Sequence, residues 1–169
     1  MNKTLSQKIQ IIPISREHIE SFHRCLDSVS RERLYLAFLE APPLESVKEY
    51  VESNIANDIP QFVALAEGEV IGWCDISPLK LEGFRHCGRL GMGVHKDYRN
   101  SGIGRMLIVN TIQKAVNKGM ERIELEVFAS NKPAITLYEK MGFKVEGIKR
   151  KARKIDQNYE DIIEMALLI

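Results

Sequence analysis

The chain has too few cysteines, too widely spread, for a disulfide framework or a zinc site: Cys25, Cys74 and Cys87 are odd in number and form no CxxC or Cys/His cluster. A reducing compartment is the expectation. No apolar run approaches the ~18 residues of a membrane span, and the start, MNKTLSQKIQ, holds no apolar stretch of signal-peptide length. A cytoplasmic protein with no membrane partner is therefore expected. A charge excess is missing too, since 24 Lys and Arg against 23 Asp and Glu leave +1. Composition gives no ground for an obligatory nucleic-acid or polyacid partner. No repeat, linker or low-complexity stretch interrupts the sequence, so 1–169 is expected to be one domain. A chain of this length can withdraw about 70% of its open surface from water, enough for a core without cross-links.

What is present is an alternation of element types. Ile9 to Ile14 reads as a short strand, and Ser15 as the cap of a helix carrying Ile19, Phe22, Leu26 and Val29 on one face. Pro42 and Pro43 close the next segment, after which Leu44, Val47, Tyr50, Val51 and Ile55 mark a second helix. Phe62 to Ala66 and Val70 to Ile76 flank Glu67, Gly68 and Glu69, a hairpin connection. Leu90, Met92 and Val94 alternate with Gly91 and Gly93, and Ile123, Leu125 and Val127 alternate with Glu124 and Glu126, so both runs read as strands. Between them Ile103, Met106, Leu107, Ile112, Ala115 and Val116 form a helical stripe ending near Gly119. Asn131 can cap a short helix through Lys140, with Pro133 in its first turn and Gly142 as its stop. Phe143 to about Lys154 and Tyr159 to Leu168 pair around Asp156, Gln157 and Asn158. The order βααβββαβαββ predicts an α/β fold: a mixed sheet, helices on both faces and a central β-α-β crossover.

The segment Arg99-Asn100-Ser101-Gly102-Ile103-Gly104-Arg105 falls at the turn from strand to crossover helix. Glycines there let backbone amides approach a ligand, and the first turn of a helix has unpaired N–H groups and partial positive charge. That suits a pyrophosphate. Neither the Gly-Lys-Ser/Thr of a nucleotide P-loop nor the third glycine of a dinucleotide fold is there.

Arg99, Gly102 and Gly104 match the Gln/Arg-x-x-Gly-x-Gly/Ala loop of the GNAT superfamily of acyl-coenzyme A-dependent N-acyltransferases. Asn131, Ala134, Tyr138, Gly142 and Phe143 match its downstream Asn-x-x-Ala-x-x-x-Tyr-x-x-x-Gly-Phe. The chain resembles that family most specifically from about Leu90 to Phe143. It departs at Asn100, where many members have Gly; Asn tolerates a left-handed backbone. The resemblance implies a mixed, mostly antiparallel sheet and acetyl-CoA as co-substrate, with no metal. It places the coenzyme on Met92, Val94, Arg99, Asn100, Ser101, Gly102, Ile103, Gly104, Arg105, Asn131, Ala134 and Tyr138. The strand before the loop splays from the strand after its helix in this family, so Met92 and Val94 backbone groups should meet the pantetheine arm. Gly91 and Gly93 fit a bulge or a close approach there.

Acyl transfer to an amine needs a neutral nitrogen and a proton for the departing thiolate. Tyr138 is the family's donor, and a phenol with a reference pKa of about 10 is protonated when a thiol of about 8.5 leaves. Glu124 and Glu126 face the coenzyme from the next strand, and either carboxylate could serve as base, Glu126 being the one grouped with Tyr138. His86, His95 and Asp75 are further candidates. Arg33, Tyr35 and Phe38, in the connection that walls the acceptor site in the family, are the expected substrate contacts.

Cys74 and Cys87 read as small strand residues rather than nucleophiles. The basic run Lys149, Arg150, Lys151, Arg153 and Lys154 is flanked by Glu146, Asp156, Glu160 and Asp161 and reads as a solvated hairpin face. The expected function is direct transfer of the acetyl group of acetyl-CoA to a primary amine: an amino acid, a small amine or a protein N-terminus. The pattern around Trp73, Glu146 to Ile148 and Tyr159 to Met165 looks most like bacterial members of that kind. A homodimer is compatible with it. The alternatives are a coenzyme A-binding regulatory module without turnover and an RNA-binding protein acting through the 149–154 hairpin.

Overall fold

The computed structural model describes residues 8–169, so the leader-free reading of residues 1–7 lies outside the described residues. The strands are β1 (Gln10–Pro13), β2 (Gln61–Ala66), β3 (Glu69–Pro78), β4 (Cys87–Val94), β5 (Arg122–Phe128), β6 (Lys144–Ile155) and β7 (Asn158–Leu168). The helices are α1 (Ile19–Arg31), α2 (Leu44–Ala56), α3 (Ile103–Asn117) and α4 (Lys132–Lys140). They follow one another in the expected order βααβββαβαββ. The sheet runs β1-β2-β3-β4-β5-β7-β6 and is antiparallel throughout except where β4 meets β5.

Turn chemistry explains two small differences from expectation. Glu67 and Gly68 both have positive φ, 52° and 85°, so the β2–β3 hairpin turns on two residues and Glu69 already begins β3. Asp156 and Gln157, at 47° and 67°, do the same for β6–β7, leaving Asn158 in the strand. Paired left-handed residues match the twist of the flanking strands. Ser15 starts α1 through a 3-10 turn over Arg16–His18, its N–H donating to His18 Nδ1 at 3.0 Å.

Helices cover both faces. On one, Phe22, Leu26 and Val29 of α1 and Val47 and Val51 of α2 pack on Val63, Val70 and Trp73, with Phe22 and Trp73 edge to face at 5.5 Å. On the other, Ile103, Leu107, Ile108 and Ala115 of α3 and Tyr138 of α4 pack on Cys74, Ile76, Leu90, Ile123 and Leu125. Four residues expected on buried stripes lie at the rim instead: Leu44, Tyr50, Ile55 and Met106 are exposed, while Val47 and Val51 of α2 and Ile103 and Leu107 of α3 make the buried contact.

Candidate active site

Strands β4 and β5 pair only from Cys87–Arg122 to Arg89–Glu124, and beyond that rung they separate. The His95 N–H donates to the Ile71 carbonyl at 2.8 Å, which makes Val94 and Gly72 a non-hydrogen-bonded pair in the β3–β4 ladder. Alternation gives Met92 the same status, so Met92 and Val94 turn their N–H and C=O groups away from β3, toward the gap. The register from Gly72–Val94 to Pro78–Gly88 is unbroken. Neither glycine therefore marks a bulge, and a close approach is present at Gly93. A Cβ on Gly93 would lie 2.3 Å from the Trp73 ring, and one on Gly91 would lie 3.5 Å from Asp75 Oδ1.

The gap opens into a cavity of about 710 Å³, a volume suited to a cofactor-sized ligand. Its far end is the first turn of α3. Asn100 and Gly102 adopt left-handed backbone, φ 59° and 82°, to swing the chain into the helix. The amides of Ile103, Gly104 and Arg105 head α3 without an intrahelical acceptor, since the first closing bond runs from Met106 N–H to Gly102 C=O at 3.1 Å. A Cβ on Gly104 would stand 3.1 Å from Leu137 and 3.3 Å from Met92, so the bare backbone lets α3, α4 and β4 converge. Arg105 is exposed beside this turn with no ion-pair partner among the described residues, and Lys96 borders the same end. Sequence reasoning missed Lys96, whose only signal was its place just before the loop.

Arg99 borders the cavity but is engaged as a strut. Its Nε donates to the Val94 carbonyl at 2.9 Å, its two Nη groups reach the Glu32 carboxylate at 2.8 and 2.5 Å, and its guanidinium lies 4.6 Å over the Tyr35 ring. The loop is thereby tied to the end of α1. Ser101 turns its hydroxyl back to the Tyr98 carbonyl and does not border the cavity.

At the other end stands α4. Asn131 caps it, Oδ1 accepting from Ala134 N–H at 3.3 Å, with Pro133 in the first turn. Gly142 at φ 95° stops it, and the Phe143 N–H returns to the Tyr138 carbonyl at 3.0 Å. Asn131, Ala134 and Tyr138 all border the cavity. Tyr138 is buried, its ring 5.8 Å from Phe143, and nothing among the described residues hydrogen-bonds its hydroxyl. Burial, with the Cys74 thiol second, pushes its phenol above the ordinary value. The phenol therefore keeps its proton at neutral pH.

Glu126 borders the same cavity from the opposite face of β5. Its Oε1 accepts from Lys149 Nζ at 2.6 Å, and Lys149 also reaches Glu164 at 2.8 Å, contacts that raise the lysine's pKa. Glu124 instead lies between Arg89 and Arg122, at 3.2 and 3.5 Å, away from the cavity. His86 contacts Cys87 Sγ at 3.4 Å, and His95 accepts from Asp97 N–H at 3.4 Å, so both serve local polar groups. Cys25, Cys74 and Cys87 are buried; burial pushes the Cys25 thiol up to about 12 and the Cys74 thiol higher still, which deprives both of thiolate character.

Of the expected acceptor contacts, Tyr35 borders the main cavity. Arg33 lines a second one, of about 730 Å³, and pairs with Asp156 at 2.9 Å across the β6–β7 turn. Phe38 is exposed and borders neither. The basic run is partly neutralised in place: Lys149 as above, Arg153 by Glu160 at 3.0 Å, and Lys151 and Lys154 over the Tyr159 ring. Among the described residues no group of His, Cys, Asp and Glu side chains converges to hold a metal ion, and no helix is long and apolar enough to cross a membrane.

Residues 25–143 match the model of the acetyltransferase (GNAT) family. The L-amino acid N-acetyltransferase AaaT of Escherichia coli K12 is 34% identical over 109 residues, 64% of this chain and 67% of that protein. The ribosomal protein bS18-alanine N-acetyltransferase of Salmonella typhimurium is 41% identical over 78 residues, 46% of this chain and 53% of that protein. The match thus spans only about half of that relative's length. In fold, a GNAT-family acetyltransferase from Streptococcus pneumoniae superposes with a TM-score of 0.89 at 24% identity, over 96% of this chain and all of that one. A putative acetyltransferase from Salmonella typhimurium, solved with acetyl-CoA, gives 0.88 at 17% identity over 95% and 93%. The matched segment runs from within α1 to the stop of α4, and so contains the splayed strands, the glycine loop and the tyrosine helix: the chain belongs to the GNAT family of acetyltransferases.

Proposed function

We infer that the protein transfers the acetyl group of acetyl-CoA directly to a primary amine, within one domain and in the cytoplasm. The observation that carries this is the parting of β4 from β5, which turns the N–H and C=O of Met92 and the N–H of Val94 to the gap beside the first turn of α3, the Val94 carbonyl being taken by Arg99. An extended arm carrying amides can pair there as an added strand, while the amides of Ile103 to Arg105, with Arg105 and Lys96 beside them, suit its phosphates. Asn131 borders the cavity while its side-chain oxygen caps α4.

The gap is also a passage between the two faces of the sheet. Tyr138 approaches it from the α3–α4 side and Glu126 from the α1–α2 side. A nitrogen entering past Glu126 can shed a proton there while Tyr138 O–H protonates the sulfur leaving on the other side, so neither group has to serve both ends. The acceptor is an amino acid or a peptide N-terminus, the classes named for the relatives above, admitted beneath Tyr35 and the 32–41 connection.

The test is thiol release from acetyl-CoA with ethylamine, L-alanine, L-alaninamide and an alanine-initiated peptide as acceptors. Amine-dependent thiol release is expected; acetyl-CoA binding without release from any amine would contradict transfer.

A further inference from the structure

Across the α1–α2 face of the sheet, Asp75 of β3, Gly91 of β4 and Glu126 of β5 fall on one cross-strand row. Asp75 and Gly91 are register partners, and Arg89 and Glu124 pair one rung earlier, so Gly91 and Glu126 face each other across the opening gap. Gly91 offers no side chain to separate the two carboxylates. Asp75 Oδ1 projects over it, 3.5 Å from where a Cβ would stand. Asp75 Oδ2 is occupied, accepting from Tyr50 O–H on α2 at 2.8 Å. Behind it Asn54 and Gln61, bonded at 2.8 Å, continue the polar floor beneath α2, with Gln61 the register partner of Asp75 on β2.

No cation neutralises Asp75 among the described residues: its hydrogen-bond partner is the Tyr50 phenol, and the basic residue of β4, Arg89, is engaged by Glu124 at 3.2 Å. The acceptor side thus holds a partly buried carboxylate with one oxygen tethered by Tyr50 and the other beside Gly91, a residue of the cavity wall.

Resting on the acetyl-transfer reading above, we propose that Asp75 is the acceptor's docking carboxylate: it binds the incoming ammonium over Gly91 and takes its first proton. In that step an N–H bond of R–NH3+ breaks, an O–H bond forms on Asp75 Oδ1, and nitrogen keeps the electron pair it needs for attack. An ammonium must lose two protons on the way to an amide N–H. Asp75 and Glu126, on opposite banks of the gap, divide that work. A carboxylate beside the amine meets repulsion from the row, so of the two acceptor classes above Asp75 favours a peptide N-terminus over a free amino acid.

The neighbourhood suits the role. Burial pushes the Asp75 carboxyl up to about 6, and the Tyr50 hydroxyl opposes that shift by stabilising the anion. The group is ionised at neutral pH yet more basic than an exposed aspartate.

The experiment is steady-state kinetics with L-alaninamide, from pH 5 to 9, on the full chain and its variants. Asp75→Asn should raise KM for L-alaninamide at least tenfold, remove the acidic limb of kcat/KM near pH 6, and leave the Kd for acetyl-CoA within twofold by calorimetry. Tyr50→Phe should move that limb to higher pH, a displacement that a merely structural contact would not produce, and Asp75→Glu should restore part of the lost kcat/KM. An Asp75→Asn enzyme that keeps KM within twofold and retains the limb overturns the proposal alone. A wild type that binds acetyl-CoA but turns over none of the amines overturns the transfer reading, and this proposal with it.

Discussion

The coenzyme half of the site and the acceptor half are built from different materials. From β4 to α4 the cavity wall offers backbone: the N–H and C=O of Met92, the N–H of Val94 and the amides heading α3, with Gly102 supplying the left-handed turn and Gly104 the close approach. Across the sheet, the acceptor side draws on side chains from distant segments: Tyr35 after α1 and Glu126 on β5 border the cavity, Lys149 on β6 backs Glu126, and Asp75 on β3, held by Tyr50 of α2, stands beside Gly91. Backbone recognition of phosphates and amides requires a conformation, which a short local motif can encode. Side-chain recognition of an amine requires a juxtaposition that only the completed sheet creates. The two halves should therefore fail differently when perturbed.

The largest effect is expected where the halves meet. Tyr138→Phe removes the hydroxyl proposed to protonate the leaving sulfur, and kcat should fall by about 10²–10⁴-fold with acetyl-CoA binding intact by calorimetry. Next, Gly104→Val sets a branched side chain against Leu137 and Met92 and should weaken acetyl-CoA binding by about tenfold or more through steric displacement of the α3 turn. That change belongs to the coenzyme half alone, so KM for the amine measured at saturating acetyl-CoA should move little.

Glu32→Gln probes the seam. The Arg99–Glu32 pair ties the phosphate loop to the acceptor connection, and loss of its bidentate charge should loosen the 32–41 segment. An increase of about three- to tenfold in acceptor KM, with a smaller change in the Kd for acetyl-CoA, is expected from initial rates at varied amine.

The smallest effect concerns stability. The folded-state pKa of Asp75, about 6, lies above its ordinary value of 3.8, so its contribution to stability is full below about pH 4 and is lost as pH rises through 6. Asp75→Asn should therefore raise Tm by about 2–5 °C at pH 8 relative to wild type, with the gain disappearing near pH 4, as read by thermal melts. Such a stabilising change that also damages turnover is the mark of a group retained for function.

Legibility in the sequence follows the same division. Element order was readable because apolar periods of 3.6 and 2 are local, as in Ile19–Phe22–Leu26–Val29 and Ile123–Leu125–Val127. The loop at Gly102 and Gly104, and the Asn131–Tyr138–Gly142 helix, were readable because cap, hydroxyl and stop sit on one short segment. Where side chains come from afar, the sequence was silent. Nothing local to Arg99 shows that Glu32, 67 positions earlier, will claim its guanidinium. Asp75 stood in it as one acidic residue among several, since its place over Gly91 depends on β3–β4 register and its tether on where α2 lands. Arg33 and Phe38 belong to the same connection as Tyr35, but Arg33 turns to the β6–β7 hairpin and Phe38 to solvent.

The central claim is that the gap between β4 and β5 receives the extended arm of acetyl-CoA as an added strand. Amide hydrogen exchange resolved to single residues, with and without saturating acetyl-CoA, tests it most directly. Protection should rise at Met92, Val94, Ile103 and Gly104 while amides of Gly91 and Gly93, already turned toward β3, stay as they were. Unchanged exchange at Met92 and Val94 in the saturated protein would contradict the account.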